Sequence, residues 1–342
     1  MALKIAINAR FQHRRVTGVG RYAQEISKRM EPKPRMIAPK KTIGQISGHL
    51  WEQFVLPLRL QKDEILWSPA NTSAWVIRNQ AVTIHDASVF DHPEWFHPVF
   101  AAWTLLSWKV LANRVKAIIT VSEFSKERLM HHLKISDQKI HVIPNGVGKP
   151  FEPQSNKTIH EIKRKYDLTK PYFLFVGTHE PRKNLGILIK AFLELKLSAC
   201  VLVIAGDKGE VFADTNPGYD SDAVNIKFLG YVSNADLPSL YSGAQAVIVP
   251  SLYEGFGLTT LEAMACGTPV IASNTTSFPE VTGDAALPVD PNKITEIKNA
   301  ILKLIEDPNL ANTLRESGLS QAAHFSWDKS ARKIQSLLET LQ

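Results

Sequence analysis

The chain has 342 residues, 44% of them apolar, with 40 Lys and Arg set against 33 Asp and Glu. That length exceeds one ordinary core and suggests two domains, and the composition excludes a disordered or fibrous protein. Cys200 and Cys266 are its two cysteines, with no C-x-x-C spacing, which excludes a disulfide framework and a cysteine zinc site and fits a reducing, cytoplasmic compartment.

The first residues, MALKIAINAR, read as a strand and not as a basic-then-apolar signal segment. Short apolar strands follow at 35–38, 65–68, 81–85, 117–121 and 141–143, and again at 172–176, 201–205, 226–228, 246–249 and 270–272. Helical stretches separate them. This alternation predicts open parallel sheets covered on both faces, twice over. Residues 144–157, PNGVGKPFEPQSNK, read as the linker between a domain over 1–150 and a second over 151–325. The expected fold is therefore α/β, two Rossmann-like doubly wound domains facing across a cleft, with ligands at the C-terminal strand ends. No apolar run approaches the roughly 18 residues that span a bilayer. Residues 99–111, VFAAWTLLSWKVL, suit either a helix packed on its sheet or one lying in a membrane interface.

Charge is divided unevenly. Residues 1–150 hold 22 Lys and Arg against 11 Asp and Glu, whereas 151–342 hold 18 against 22. Such a split points to an anionic partner for the first domain, and no nucleic-acid-binding motif accompanies it.

In chain order, Gly18 and Gly20 come first, in GVGRYA. This is a poor dinucleotide fingerprint, lying about ten residues after its strand, with Pro39-Lys40-Lys41 where a ribose-binding acid belongs. What remains is a glycine pair at a helix start, open to a phosphate or an acceptor. His85 and Asp86 end the strand AVTIHD, either as satisfied structural groups or as hydrogen-bonding groups toward a sugar. After YFLFV, the turn GTHEPRKN places Arg182 beside Lys183, a guanidinium and an ammonium suited to a diphosphate. The strand-end turn FLGYV brings Tyr231 and Val232.

Residues 250–267, PSLYEGFGLTTLEAMACG, carry the densest signal. A buried strand runs into a glycine turn and then a helix stopped by Gly267 and Pro269, so unpaired N–H groups and the helix dipole converge on an anion. Glu254 and Glu262, eight positions apart, flank that turn; a surface turn with two solvated acids is the competing reading. Asp220-Ser221-Asp222 mimics a D-x-D metal motif but follows no strand, and His131-His132 has no carboxylate at ligand spacing, so no metal site is expected. P-loop and G-x-S-x-G patterns do not occur.

Taken in order, the glycine loop, H-D, P-R-K-N and E-x7-E resemble the retaining nucleotide-sugar glycosyltransferases of family 4, across nearly the whole chain; VSEFSK and IPNGV are also family-like. The resemblance implies the GT-B fold, with helix 326–342 crossing back onto the first domain. It implies that the first domain binds a glycan or lipid-linked acceptor and the second the nucleotide-sugar. Arg182 and Lys183 would hold the diphosphate in place of a metal. Glu254 with the amides of Phe256, Gly257 and Leu258, and Thr259 beside them, would hold the sugar. Glu262 would hold the ribose, Tyr231 and Val232 the base, and His85 the sugar again. Retention of anomeric configuration, no cofactor, GDP-mannose as first-choice donor and a role in surface-polysaccharide or lipopolysaccharide assembly at the inner membrane face complete the expectation. A nucleotide-sugar epimerase, a phosphorylase of the same fold and a non-catalytic sugar-nucleotide-binding protein are the alternatives.

Overall fold

A computed structural model describes residues 4–13, 17–207 and 225–341, and forms two six-stranded sheets whose strand pairs are all parallel. The chain divides into two units: residues 1–93, 98–146 and 326–342, and residues 94–97 with 147–325.

The first unit runs β1 (Lys4–Asn8), α1 (Gly18–Arg29), β2 (Arg35–Ile37), α2 (Gln45–Phe54), α3 (Leu56–Arg59), β3 (Glu64–Ser68), β4 (Gln80–Thr83), α4 (Ser88–Asp91), α5 (Pro98–Arg114), β5 (Ala117–Thr120), α6 (Glu123–Leu133) and β6 (Ile140–Val142). Its sheet order is β2-β1-β3-β4-β5-β6, so the chain reverses direction across the sheet between β1 and β3. Strands β3, β4 and β5 are buried along their whole length, as expected of parallel strands covered on both faces. Helix α1 starts because the Thr17 side chain accepts from the Gly20 amide, and Lys28 and Arg29 suit the dipole at its end. Helix α5 packs through Ala101, Thr104, Trp108 and Leu111, a spacing of three and four that puts them on one side.

The second unit runs α7 (Asn156–Lys165), β7 (Tyr172–Val176), α8 (Leu185–Leu195), β8 (Val201–Ala205), β9 (Ile226–Gly230), α9 (Leu237–Gly243), β10 (Ala246–Val249), α10 (Leu258–Ala265), β11 (Val270–Ser273), α11 (Phe278–Thr282), β12 (Leu287–Val289), α12 (Ile294–Glu306) and α13 (Pro308–Ala322). The sheet order is β12-β11-β10-β7-β8-β9, with the switch between β7 and β10. Phe173, Phe175, Leu188, Ile204, Ile248, Ile271 and Ile297 belong to one buried cluster that joins sheet and helices. Gly206 is required where the chain leaves β8. A Cβ there would stand 1.9 Å from the Gly177 carbonyl oxygen, so only glycine lets the two backbones pass.

Helix α14 (Trp327–Thr340) returns to the first unit. Trp327, Ala331, Ile334 and Leu338 form its buried stripe, with the Trp327 ring 6.3 Å from Tyr22. Ser330 Oγ donates to the Pro144 carbonyl at 2.6 Å, and Arg29 pairs with Asp328 at 3.1 Å.

Two strand readings change. Strand 81–85 is shorter: β4 stops at Thr83, the Ile84 amide still reaches Ile119 O at 2.9 Å, and the His85 amide turns to the Asn71 side chain at 2.9 Å. A side chain takes over from the ladder, which leaves His85 in the loop beyond the sheet. Strand β12, with Pro288 at its centre, is absent from the strands read from sequence. It lies at the sheet's edge, where a missing N–H costs nothing.

Candidate active site

In the second unit the turns after β7 and β10 meet at the switch point, where α/β sheets bind ligands. They are tied by backbone, the Leu252 amide donating to Arg182 O at 2.7 Å. Pro181–Lys183 forms a 3-10 turn that directs two cations toward the neighbouring loop. Lys183 Nζ meets Glu254 Oε1 at 2.5 Å and Arg182 Nη1 meets Glu254 Oε2 at 3.0 Å. Arg182 Nη2 lies 2.9 Å from Glu180 Oε1, and Ser251 Oγ donates to Glu254 Oε1 at 3.1 Å. The result is a buried chain of alternating charge, with Glu180 fully covered and Lys183 and Glu254 about one-tenth exposed. Burial alone would raise the Glu254 carboxyl. The charges of Lys183 and Arg182 outweigh it and hold the group at about 2, so it is ionised at every ordinary pH.

Gly257 stands between these charges and α10, with φ at +87°, in the left-handed region that a Cβ disfavours. That turn lets α10 begin at Leu258 directly after the loop, so the amides of its first residues carry the positive end of the dipole. Phe256 is buried, while Leu258 and Thr259 are partly exposed. Glu262 sits one turn into the helix, 4% exposed, where Tyr241 Oη donates to it at 3.2 Å. The two glutamates of the E-x7-E pattern thus have different partners: Glu254 belongs to the cations and Glu262 to a tyrosine. After β9, Tyr231 is half exposed and Val232 is buried.

In the first unit Gly18 and Gly20 lie in the opening turn of α1, Gly18 exposed and Gly20 buried. His85 is buried, its Nε2 2.9 Å from the Pro69 carbonyl and its ring edge-on to Tyr22 at 4.7 Å. A carbonyl only accepts, so Nε2 carries the proton. Burial lowers the ring's pKa against the opposing pull of Pro69 and Asp86. The ring is neutral at pH 7, and Nδ1 is then an acceptor. Asp86 takes a structural task, accepting from the Ser88 amide and hydroxyl.

Two acids were missed from sequence. Glu180 precedes the P-R-K turn, and nothing local says it is buried. Glu52 of α2 is 1% exposed at the switch point of the first sheet. Asn8 Nδ2 and Thr72 Oγ1 donate to its Oε1 at 2.7 and 2.8 Å, and Arg10 Nη1 lies 3.1 Å from Oε2 as an ion pair. Gly48, Glu52 and Leu56 recur every four residues on the inward face, a side of the helix that only its packing reveals. His132 also gains a partner that spacing did not reveal, Asp91 of α4 at 2.7 Å, which Arg128 shares. Among the described residues no group of three or more His, Cys, Asp or Glu could hold a metal ion. Asp220-Ser221-Asp222 lies outside the described residues.

Residues 64–148 match the family model described as Glycosyltransferase Family 4, and residues 156–321 match Glycosyl transferases group 1. The O-antigen chain mannosyltransferase B of Escherichia coli is 34% identical over 79% of this chain and 73% of that protein. This chain belongs to the family 4 glycosyltransferases. A second relative, the serotype-specific mannosyltransferase WbdA of Escherichia coli, is 30% identical over 64% of this chain, which spans only 28% of WbdA. In fold the glycosyltransferase superimposes on Anabaena HepE, solved with UDP-glucose, at a TM-score of 0.80 and 17% identity, covering 99% of this chain and all of that one. The two sheets are those of a GT-B enzyme.

Proposed function

We propose that this glycosyltransferase moves a mannosyl residue, with retention of configuration, from GDP-mannose to a glycan or lipid-linked acceptor in surface-polysaccharide assembly. The observation that carries this reading is the meeting of Arg182, Lys183 and Glu254 at the switch point, next to the start of α10. As the bond from the sugar's C1 to the phosphate oxygen breaks, negative charge gathers on the departing diphosphate. Two fixed cations and the α10 amides stabilise that charge where it develops, the work a metal ion would otherwise do. Glu254 holds both cations in place and, as an ionised acceptor, takes hydrogen bonds from sugar hydroxyls. Glu262 is assigned to the ribose, Tyr231 and Val232 to the base, Phe256 to Thr259 to the sugar and phosphate, and His85 with the Gly18–Gly20 turn to the groups that react. The acceptor oxygen forms the new bond to C1 from the face the phosphate leaves. Its proton passes to that phosphate oxygen. No cofactor beyond the donor is assigned.

The enzyme is proposed to work at the inner face of the cell membrane, held there by its basic first unit. Among the described residues no helix is long and apolar enough to cross a bilayer. The mannosyltransferase relatives support mannose; the UDP-glucose in HepE keeps the base open to test. A thermal-shift panel of GDP-, UDP- and ADP-sugars decides it. At one hundred times its dissociation constant a donor adds about 2.7 kcal/mol to folded-state stability. GDP-mannose is expected to raise the midpoint by about 5–10 °C. A larger rise with any UDP-sugar would overturn the donor, and sugar release that needs inorganic phosphate would make the enzyme a phosphorylase.

A further inference from the structure

The first unit carries a solvent-exposed apolar stripe that its fold does not use. Ile46, Leu50, Phe54 and Leu58 stand four residues apart along α2 and α3 and are 77, 54, 68 and 85% exposed. That spacing aligns them on one side of the helical segment. Val76 and, on α5, Val99 and Leu106 are also more than half exposed, whereas no large apolar side chain described in the second unit reaches half. These elements form one surface. The Trp75 amide donates to the Gln53 side-chain oxygen of α2 at 3.0 Å, Trp75 Nε1 donates to Ser107 of α5 at 3.0 Å, and the Trp103 ring lies 5.1 Å from Trp75 and 5.4 Å from His49.

Its charge is predominantly positive. Residues 39–62, 74–81 and 98–116 hold eight Lys and Arg, all exposed, among them Lys40, Lys41, Arg59 and Lys62. The same segments hold one acid, Glu52, which is buried against Arg10. Asp63, exposed next to Lys62, is paired with Lys4, and apolar side chains bordered mainly by cations match the boundary between acyl chains and anionic headgroups. A second copy of the chain fits poorly, because a two-fold contact would set these cations against themselves.

We propose that α2–α3, the loop around Val76 and the outer side of α5 are the face that seats on an anionic bilayer, Phe54 and Leu58 entering the acyl boundary and the lysines meeting lipid phosphates. This rests on the membrane reading above and names its surface. The test is flotation of the full chain with vesicles of phosphatidylcholine alone or mixed with phosphatidylglycerol. Wild type is expected to float with the anionic vesicles and not with the neutral ones. Phe54→Ser with Leu58→Ser lowers partitioning at least about tenfold, since two buried apolar side chains are lost. Lys40→Glu with Lys41→Glu lowers it about fivefold or more per charge. Lys190→Glu with Lys303→Glu, exposed on the second unit, leaves it unchanged. All these side chains stand in solvent, so unfolding midpoints stay at the wild-type value and confirm intact folding. If wild type floats and both patch variants float equally well, this face is the wrong one while membrane binding stands. If wild type floats with no vesicle, the membrane reading falls too. A wild-type dimer that Phe54→Ser with Leu58→Ser dissociates assigns the face to a second copy and overturns the proposal.

Discussion

Lys183 and Glu254 are 71 residues apart in the chain, yet their side chains meet at 2.5 Å beside the start of α10. Each comes from a turn that leaves the C-terminal end of a central strand, and β7 and β10 are neighbours in the sheet. The pair is buried, so the two charges depend on each other as well as on any ligand.

Removing one partner leaves the other as a buried, uncompensated charge, which costs about 3–5 kcal/mol. Lys183→Met and Glu254→Ala are therefore expected to lower stability by that amount in denaturant unfolding, and to abolish detectable transfer. Glu254→Gln keeps the shape and separates the two effects. Its transfer rate should fall about 10²–10³-fold, the scale of losing one preorganised electrostatic contact. Near-wild-type turnover in Glu254→Gln would remove that residue from the mechanism.

The same carboxylate sets an acid limit. Its folded pKa, about 2, lies below the ordinary value of 4.5, so its ionised form stabilises the folded state. That contribution is complete above about pH 4.5 and is lost as pH falls from there toward 2. Unfolding curves of wild type and Glu254→Gln should therefore converge across this window. A gap that stays constant down to pH 2 would contradict the assignment.

His85 acts in the opposite chemical sense, as a base held neutral by burial. Its folded pKa lies below the ordinary 6.5, so the unfolded chain binds the proton first. The stability contributed by the neutral ring is present above pH 6.5 and declines below it. His85→Asn should flatten that decline, and should lower kcat/KM about two- to tenfold for one lost neutral hydrogen bond. Calorimetry with GDP should give an unchanged Kd, because the group is assigned to the sugar and not to the nucleotide.

Gly257→Ala tests the turn itself. Alanine would be forced into the left-handed region, with its Cβ 3.1 Å from the Phe278 ring. The strain is expected to cost about 1–2 kcal/mol. The start of α10 shifts with it, so donor affinity measured by calorimetry falls together with the unfolding midpoint. A stability loss with unchanged affinity would separate the helix start from donor binding.

Local patterning was enough for the alternation of strands and helices, the glycine turn before α10 and the Arg182–Lys183 turn, because each is written in neighbouring residues with a fixed period or a required backbone angle. Edge strand β12 escaped, since its proline is tolerated only by its place in the sheet. Which charges meet was a different matter. Glu254 and Glu262 share one short segment, yet the fold gives the first to Lys183 and the second to Tyr241. Glu180 and Glu52 look like ordinary surface acids until strand order buries them against arginines. A buried charge must find its partner among whatever the sheet brings alongside, and that adjacency is long-range. Composition likewise showed that the first half is basic. Only the packed helices revealed that the basic side chains border one exposed apolar face, because helix packing decides which side of α2 and α5 stays in water.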